Sequence, residues 1–165
     1  MTLLAMDTGQ AACSVALWRD GASIAHRYTP MPKGHAAALV PMIEDVLSEA
    51  GVGFSDLTRL AVTIGPGTFT GLRVGLATAR GLALATGKPL TGVTTLEAIA
   101  WSVRDIAADQ KAVIAAAFDA RRNEAYLQTF DALGRPLCEP KLANLEACSS
   151  DIPDAGNPVI CVGTG

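Results

Sequence analysis

The chain has 165 residues, half of them apolar and 18% charged, with a formal net charge of -3. That length supports one good core, or one core with a small second lobe, and the apolar content excludes a disordered chain. The acidic balance (pI about 5.3) argues against an independent nucleic-acid binder, which carries a basic patch, and so little charge leaves apolar surface for a partner.

In chain order, residues 2–7 (TLLAMD) form a short apolar strand ending in Asp7-Thr8-Gly9. Residues 12–18 form a second strand, Asp20-Gly21 signals a hairpin, and 22–29 return as a third. Residues 34–50 read as a helix. Its apolar positions Ala36, Leu39, Val40, Ile43, Val46, Leu47 and Ala50 recur at spacings of three and four, and Gly51 is its stop. Pro41 should kink its first turns. A buried strand over 59–64 leads through the loop GPGTFT into a helix from about Gly71 to Thr86, which Gly87 ends. Pro89 opens a short strand to Val93. Thr94 or Thr95 then caps a helix through about Ala107, with Glu97 in its first turn.

Strands follow over 111–118 and 123–130, joined by a turn at Asp119–Arg122. Residues 133–158 carry little pattern, and 158–162 (PVICV) make a last strand. The order is an α/β layer arrangement. Residues 1–100 are expected to form an N-terminal lobe and 101–165 the start of a second, smaller one. The chain stops at Gly163-Thr164-Gly165, where a helix would normally follow. It is therefore read as truncated, or as short at its C-terminal end.

The opening MTLLAMDTG has no basic stretch and meets Asp7 almost at once, so it reads as neither a signal peptide nor an anchor. No apolar run reaches the ~18–20 residues of a membrane span. Cys13, Cys138, Cys148 and Cys161 form no CxxC pair and have no histidine at zinc-finger spacing, so reduced thiols in a cytoplasmic protein are expected. His26 and His35 stand nine apart with no third ligand nearby, a poor metal site. No Ser-His-Asp or Cys-His pairing emerges.

Three places can carry chemistry. Asp7-Thr8-Gly9 can hold a metal and a phosphate, or be an ordinary hairpin turn. The loop Gly65-Pro-Gly67-Thr68-Phe-Thr-Gly71 lies at a strand-to-helix junction, where backbone N–H groups attract anions. It lacks the Gly-Lys-Ser/Thr of a Walker loop, and its glycine spacing is not GxGxxG. It is equally a tight connection with Thr68 or Thr70 as helix cap. The helix that follows is apolar almost all round, with only Arg73 and Arg80 marking a polar stripe. Gly71, Gly75 and Ala79 form one row of small residues, and Ala77, Gly81 and Ala85 another. Such rows let a second helix approach closely, whether in the chain's own core or in a partner. The charged turn of Asp119, Arg121 and Arg122 is a solvated turn, an internal salt bridge or a contact for a partner's carboxylates.

These pieces stand in a specific series: strand Asp7-Thr8, Gly34-His35 opening a helix with Leu39 and Pro41, GPGTFTGLRVGLATARGLA over 65–83, GVTTLEAIA over 92–100, and DARRNEAY over 119–126. That series closely resembles the TsaB family, formerly called YeaZ, from residue 3 to about 130. The resemblance implies an actin/Hsp70/sugar-kinase-like (ribonuclease H-like) fold, with mixed β-sheet flanked by helices. It implies a cytoplasmic, non-catalytic partner of TsaD, the paralogue that transfers the threonylcarbamoyl group to adenosine 37 of tRNA, with the ATPase TsaE joining the pair. It further implies a homodimer when TsaD is absent, contact with tRNA only through the complex, and no cofactor for this chain alone, ATP entering at the complex. The helices over 34–50 and 70–86 match the family's helical bundle. The partner contact is therefore expected at His35, Leu39, Met42, Ile43, Val46, Arg73, Leu76, Ala77 and Arg80. Asp7, Thr8, Gly65, Gly67 and Thr68 would be a vestigial phosphate site. TsaD-like proteins carry an HxxxH metal motif on the helix that begins here at His35. This chain reads His35-Ala-Ala-Ala-Leu39, so the metal centre and the transferase chemistry are expected to be absent. The alternatives are an ATP-binding kinase or ATPase of the same superfold, using Asp7 and the Gly65–Gly67 loop, or a metalloprotease, the glycoprotease label both families inherited.

Overall fold

The computed structural model describes residues 1–144, 146, 152 and 156–164. The chain divides into two compact units, Met1–Val93 and Thr94–Gly165. The expected boundary after residue 100 therefore moves to the end of the fifth strand. The helix that follows belongs to the second unit because its Leu96 and Ala100 pack with Ile114, Ala116 and Phe130.

In the first unit, β1 (Thr2–Gln10), β2 (Ala12–Arg19) and β3 (Ala22–Pro30) form a meander. Helix α1 (His35–Glu49), β4 (Arg59–Thr63), helix α2 (Phe69–Thr86) and β5 (Leu90–Val93) follow. The sheet order is β3-β2-β1-β4-β5. The β1–β2 and β2–β3 pairs are antiparallel, whereas β1–β4 and β4–β5 are parallel. Strand β1 alternates between buried and half-buried residues because its two faces meet different surroundings. Its Leu4 and Met6 join Val15, Leu17, Leu60 and Val62 in a core closed by Leu39, Ile43 and Val46 of α1. Burying each such side chain contributes about 1.5–3 kcal/mol.

Helix α1 stays one element across Pro41. The proline leaves the Ala37 carbonyl without its helical donor, but both residues are exposed, so water can take the donor's place. In α2 the cap is settled. The Thr68 hydroxyl accepts from the Gly71 N–H at 3.3 Å, and Gly87 ends the helix at φ 67°.

The second unit contains α3 (Thr95–Trp101), α4 (Arg104–Gln110), β6 (Val113–Arg121), β7 (Glu124–Phe130), β8 (Lys141–Asn144) and β9 (Val159–Gly163). The single helix expected through Ala107 is thus two. Thr94 opens the first with a reciprocal cap: its hydroxyl accepts from the Glu97 N–H, and the Glu97 carboxylate accepts from the Thr94 N–H. The break follows where the Ser102 hydroxyl donates to the Ile99 carbonyl at 2.6 Å, giving the backbone an alternative to helix. Strand β8 lies in a stretch that shows no strand pattern. Its order comes from antiparallel pairing with β7 rather than from local propensity.

The sheet order β8-β7-β6-β9 repeats the first four places of the first sheet. Its first strand is antiparallel to its second and parallel to its fourth, as in β1, β2 and β4. Among the described residues, no helix is long and apolar enough to cross a membrane.

Candidate functional site

The end of β1 and the glycine loop are brought together by parallel pairing of β1 with β4, which sets Met6 opposite Val62. One residue on, the Thr63 hydroxyl donates to Asp7 Oδ1. The same oxygen accepts from the Gly9 N–H at 2.8 Å, so the carboxylate closes its own turn and ties it to β4. Thr8 is buried and donates its hydroxyl to the Gly71 carbonyl at 2.7 Å. The Thr68 N–H donates to the Gly9 carbonyl at 2.6 Å. The structure therefore gathers Asp7, Thr8, Gly65, Gly67 and Thr68 into one place, and these four hydrogen bonds all run between parts of the chain itself.

The glycines serve that closure. A Cβ on Gly71 would lie 1.9 Å from the Thr8 carbonyl oxygen, and one on Gly67 would lie 2.7 Å from the Gly9 carbonyl oxygen. Close approach of the first turn of α2 to β1 thus requires glycine at both positions. Gly71, the end of the candidate loop, belongs to this cluster, as do Thr63 and Gly75, which sequence reasoning did not place in the site. Thr63 carried no signal in the sequence, because its place beside Asp7 follows from the parallel pairing of β1 with β4. Burial pushes the thiol of neighbouring Cys13 up, and the Asp7 carboxylate adds to the shift. Among the described residues, no group of three or more His, Cys, Asp and Glu side chains is placed to hold a metal.

The helical face expected to meet a partner resolves into two sets. Leu39, Met42, Ile43 and Val46 lie inside the unit's own core, at 0–8% exposure, and this corrects their assignment to a partner contact. An apolar stripe shows that a helix face is buried but not what buries it; here β2 does. His35 is half-buried, with Nε2 3.0 Å from the Gln10 carbonyl oxygen. Leu76 is half-buried against the core.

Arg73, Ala77 and Arg80, by contrast, are exposed on α2. They continue a stripe that runs from Phe69, 69% exposed, to Leu84, 87% exposed. The Arg73 guanidinium stacks over the Phe69 ring at 3.6 Å. Of the two small-residue rows, Gly71, Gly75 and Ala79 face inward, whereas Ala77, Gly81 and Ala85 are exposed. Phe69 and Leu84 were missed as members of this face. Their spacing from Arg73, Ala77 and Arg80, at steps of three and four, was the signal.

The chain is similar to known proteins in sequence and in fold. The sequence model of the family "TsaD: tRNA N6-adenosine threonylcarbamoyltransferase" matches residues 30–149. The Escherichia coli K12 protein named tRNA threonylcarbamoyladenosine biosynthesis protein TsaB is 42% identical over 127 residues, which is 76% of this chain and 53% of that protein. The solved structure of YeaZ from Pseudomonas aeruginosa superposes with a TM-score of 0.88 at 35% identity, covering 99% of this chain and 76% of that one. The chain belongs to the TsaB (YeaZ) family. It spans about half the length of the curated TsaB relatives it matches. The ROK hexokinase of Thermus thermophilus, at 21% identity and a TM-score of 0.54, shares the fold. This places the TsaB-family chain in the actin/Hsp70/sugar-kinase-like class.

Proposed function

We propose that this chain is a non-catalytic partner that binds and activates TsaD, together with TsaE, in threonylcarbamoyl transfer to adenosine 37 of tRNA. The observation that carries the reading is the exposed stripe of α2, Phe69–Arg73–Ala77–Arg80–Leu84, on a helix whose other side is already packed. A leucine left 87% exposed beside small residues is a surface suited to a second helix. The names of the TsaB relatives and the match to the TsaD family support the pathway. The internal hydrogen bonding of Asp7 and Thr8 supports a non-catalytic role, because the groups a phosphate or metal would use already hold the loop to β1. On this reading the chain works in the cytoplasm, needs no cofactor of its own and reaches tRNA only through the complex, where ATP enters. In the absence of TsaD, a second copy takes the same α2 face.

The test is reconstitution with TsaD, TsaE and the threonylcarbamoyl-adenylate synthase, using tRNA, threonine, bicarbonate and ATP. Modified adenosine is read by mass spectrometry, with and without this chain. The expected result is modification only when the chain is present, and its loss with Ala77→Trp or Arg73→Glu while the chain stays folded. Modification indifferent to the chain, or unchanged co-elution of both variants with TsaD, would overturn the reading. Heat from binding of Mg-ATP to the isolated chain, abolished by Asp7→Ala, would instead favour an ATPase.

A further inference from the structure

The tip of the β6–β7 hairpin breaks a local rule. Arg121 and Glu124 pair across it, leaving Arg122 and Asn123 as a two-residue turn. Arg121, Arg122 and Asn123 all have left-handed backbone, at φ 66°, 54° and 64°. Asparagine tolerates that conformation and glycine favours it, whereas two successive arginines are a costly choice. The turn is held from below. Asp119 Oδ1 accepts from the Arg121 N–H at 2.7 Å, and the Asp119 N–H donates to the Thr164 hydroxyl at 3.2 Å. This use of Asp119 is local and leaves both guanidinia in solvent. Among the described residues neither meets a carboxylate; the ion pairs lie elsewhere, at Met1–Asp20, Arg27–Glu49 and Arg104–Asp105. Backbone preference therefore argues against these residues, and among the described residues no ion pair rewards them. A local rule broken without internal compensation points to a function for the side chains.

We infer that Arg121 and Arg122 form a docking site for an acidic segment of a protein partner, with adjacent carboxylates gripped by the two guanidinia. Arginine's planar fork matches a carboxylate bidentately. A nucleic-acid backbone fits less well. It needs an extended basic surface, whereas this pair is flanked by Asp119 and Glu124 on a chain of net charge -3. The site belongs to the second unit and the α2 face to the first, and the inference does not depend on which enzyme that face serves.

The test is a titration of the isotope-labelled chain with hexaglutamate, and separately with hexauridylate RNA, read by NMR at the arginine side-chain N–H signals. Hexaglutamate is expected to move the Arg121 and Arg122 signals. Its affinity should fall about tenfold or more in Arg121→Gly/Arg122→Gly, the scale of losing strong charge-assisted pairs. Glycine fits the left-handed backbone, so that variant should melt no lower than the parent. Arg121→Lys/Arg122→Lys, which keeps the charge and loses the fork, should fall between the two. No movement of these signals, undiminished affinity in the glycine variant, or preference for hexauridylate would overturn the inference.

Discussion

The two units share a strand pattern and close it differently. In each, the first strand carries an aspartate near its end that accepts from its own backbone: Asp7 from the Gly9 N–H at 2.8 Å, and Asp119 from the Arg121 N–H at 2.7 Å. Each also meets a threonine at or just past the end of its unit's fourth strand: the Thr63 hydroxyl donates to the Asp7 carboxylate, and the Thr164 hydroxyl accepts from the Asp119 N–H. In the first unit the turn is then covered, because Gly67, Gly71 and Gly75 let α2 close onto it. In the second, the turn carries two arginines into solvent. A turn closed by an aspartate thus serves as an internal joint in the first unit and as an exposed tip in the second. The residues beside the aspartate decide which.

The largest test of that contrast is Gly71→Ala. Its Cβ would stand 1.9 Å from a backbone oxygen that cannot swing away, so the first unit should lose about 3 kcal/mol or more. Gly81→Ala on the same helix meets nothing within 4 Å and should stabilise by up to about 1 kcal/mol. The chain has two tryptophans, Trp18 in β2 and Trp101 in α3. Urea melts of Trp101→Phe and Trp18→Phe backgrounds therefore report each unit separately. A mild loss for Gly71→Ala would show that the joint gives way easily.

Next in size, Leu39→Ala should cost the first unit about 3 kcal/mol through a core cavity, whereas Ala77→Trp should leave its melt within about 0.5 kcal/mol, as surface changes do. Equal melts for the two would return Leu39 to the surface. Third, Asp7→Ala removes an acceptor with two donors and should cost about 2 kcal/mol, whereas Asp119→Ala at an exposed turn should cost under about 1 kcal/mol. The same pair of melts measures both, and equal losses would erase the distinction between joint and tip.

The smallest effect is a pH dependence. Burial and Asp7 raise the Cys13 thiol above its ordinary 9.0. The folded state then holds this proton where the unfolded state has released it, so stability of the first unit should fall as pH rises through and beyond that value. Cys13→Ala should flatten the slope. In the native state at pH 8, iodoacetamide should label the exposed Cys138 and Cys161 well before Cys13. Cys148 lies outside the described residues.

Much of this molecule was legible in its sequence, for local reasons. Apolar runs, turn signals and the 3.6 period placed eight of the nine described strands and the two long helices within about three residues of their observed bounds. Gly51, Gly87 and the Thr94-Thr95 pair marked helix ends because capping is chemistry between near neighbours, and the structure chose Thr94. The motif series from Asp7 to Tyr126 was enough to expect the family. Tertiary structure alone decided what each apolar face meets. The stripe of α1 and the stripe of α2 look alike as strings, yet Leu39, Ile43 and Val46 are sealed inside while Ala77 and Leu84 face solvent. Register decided that Thr63 meets Asp7, and cross-strand pairing decided that 141–144 is a strand. Periodicity records that a side chain is apolar; only the packed chain settles whether its own core or another molecule removes it from water.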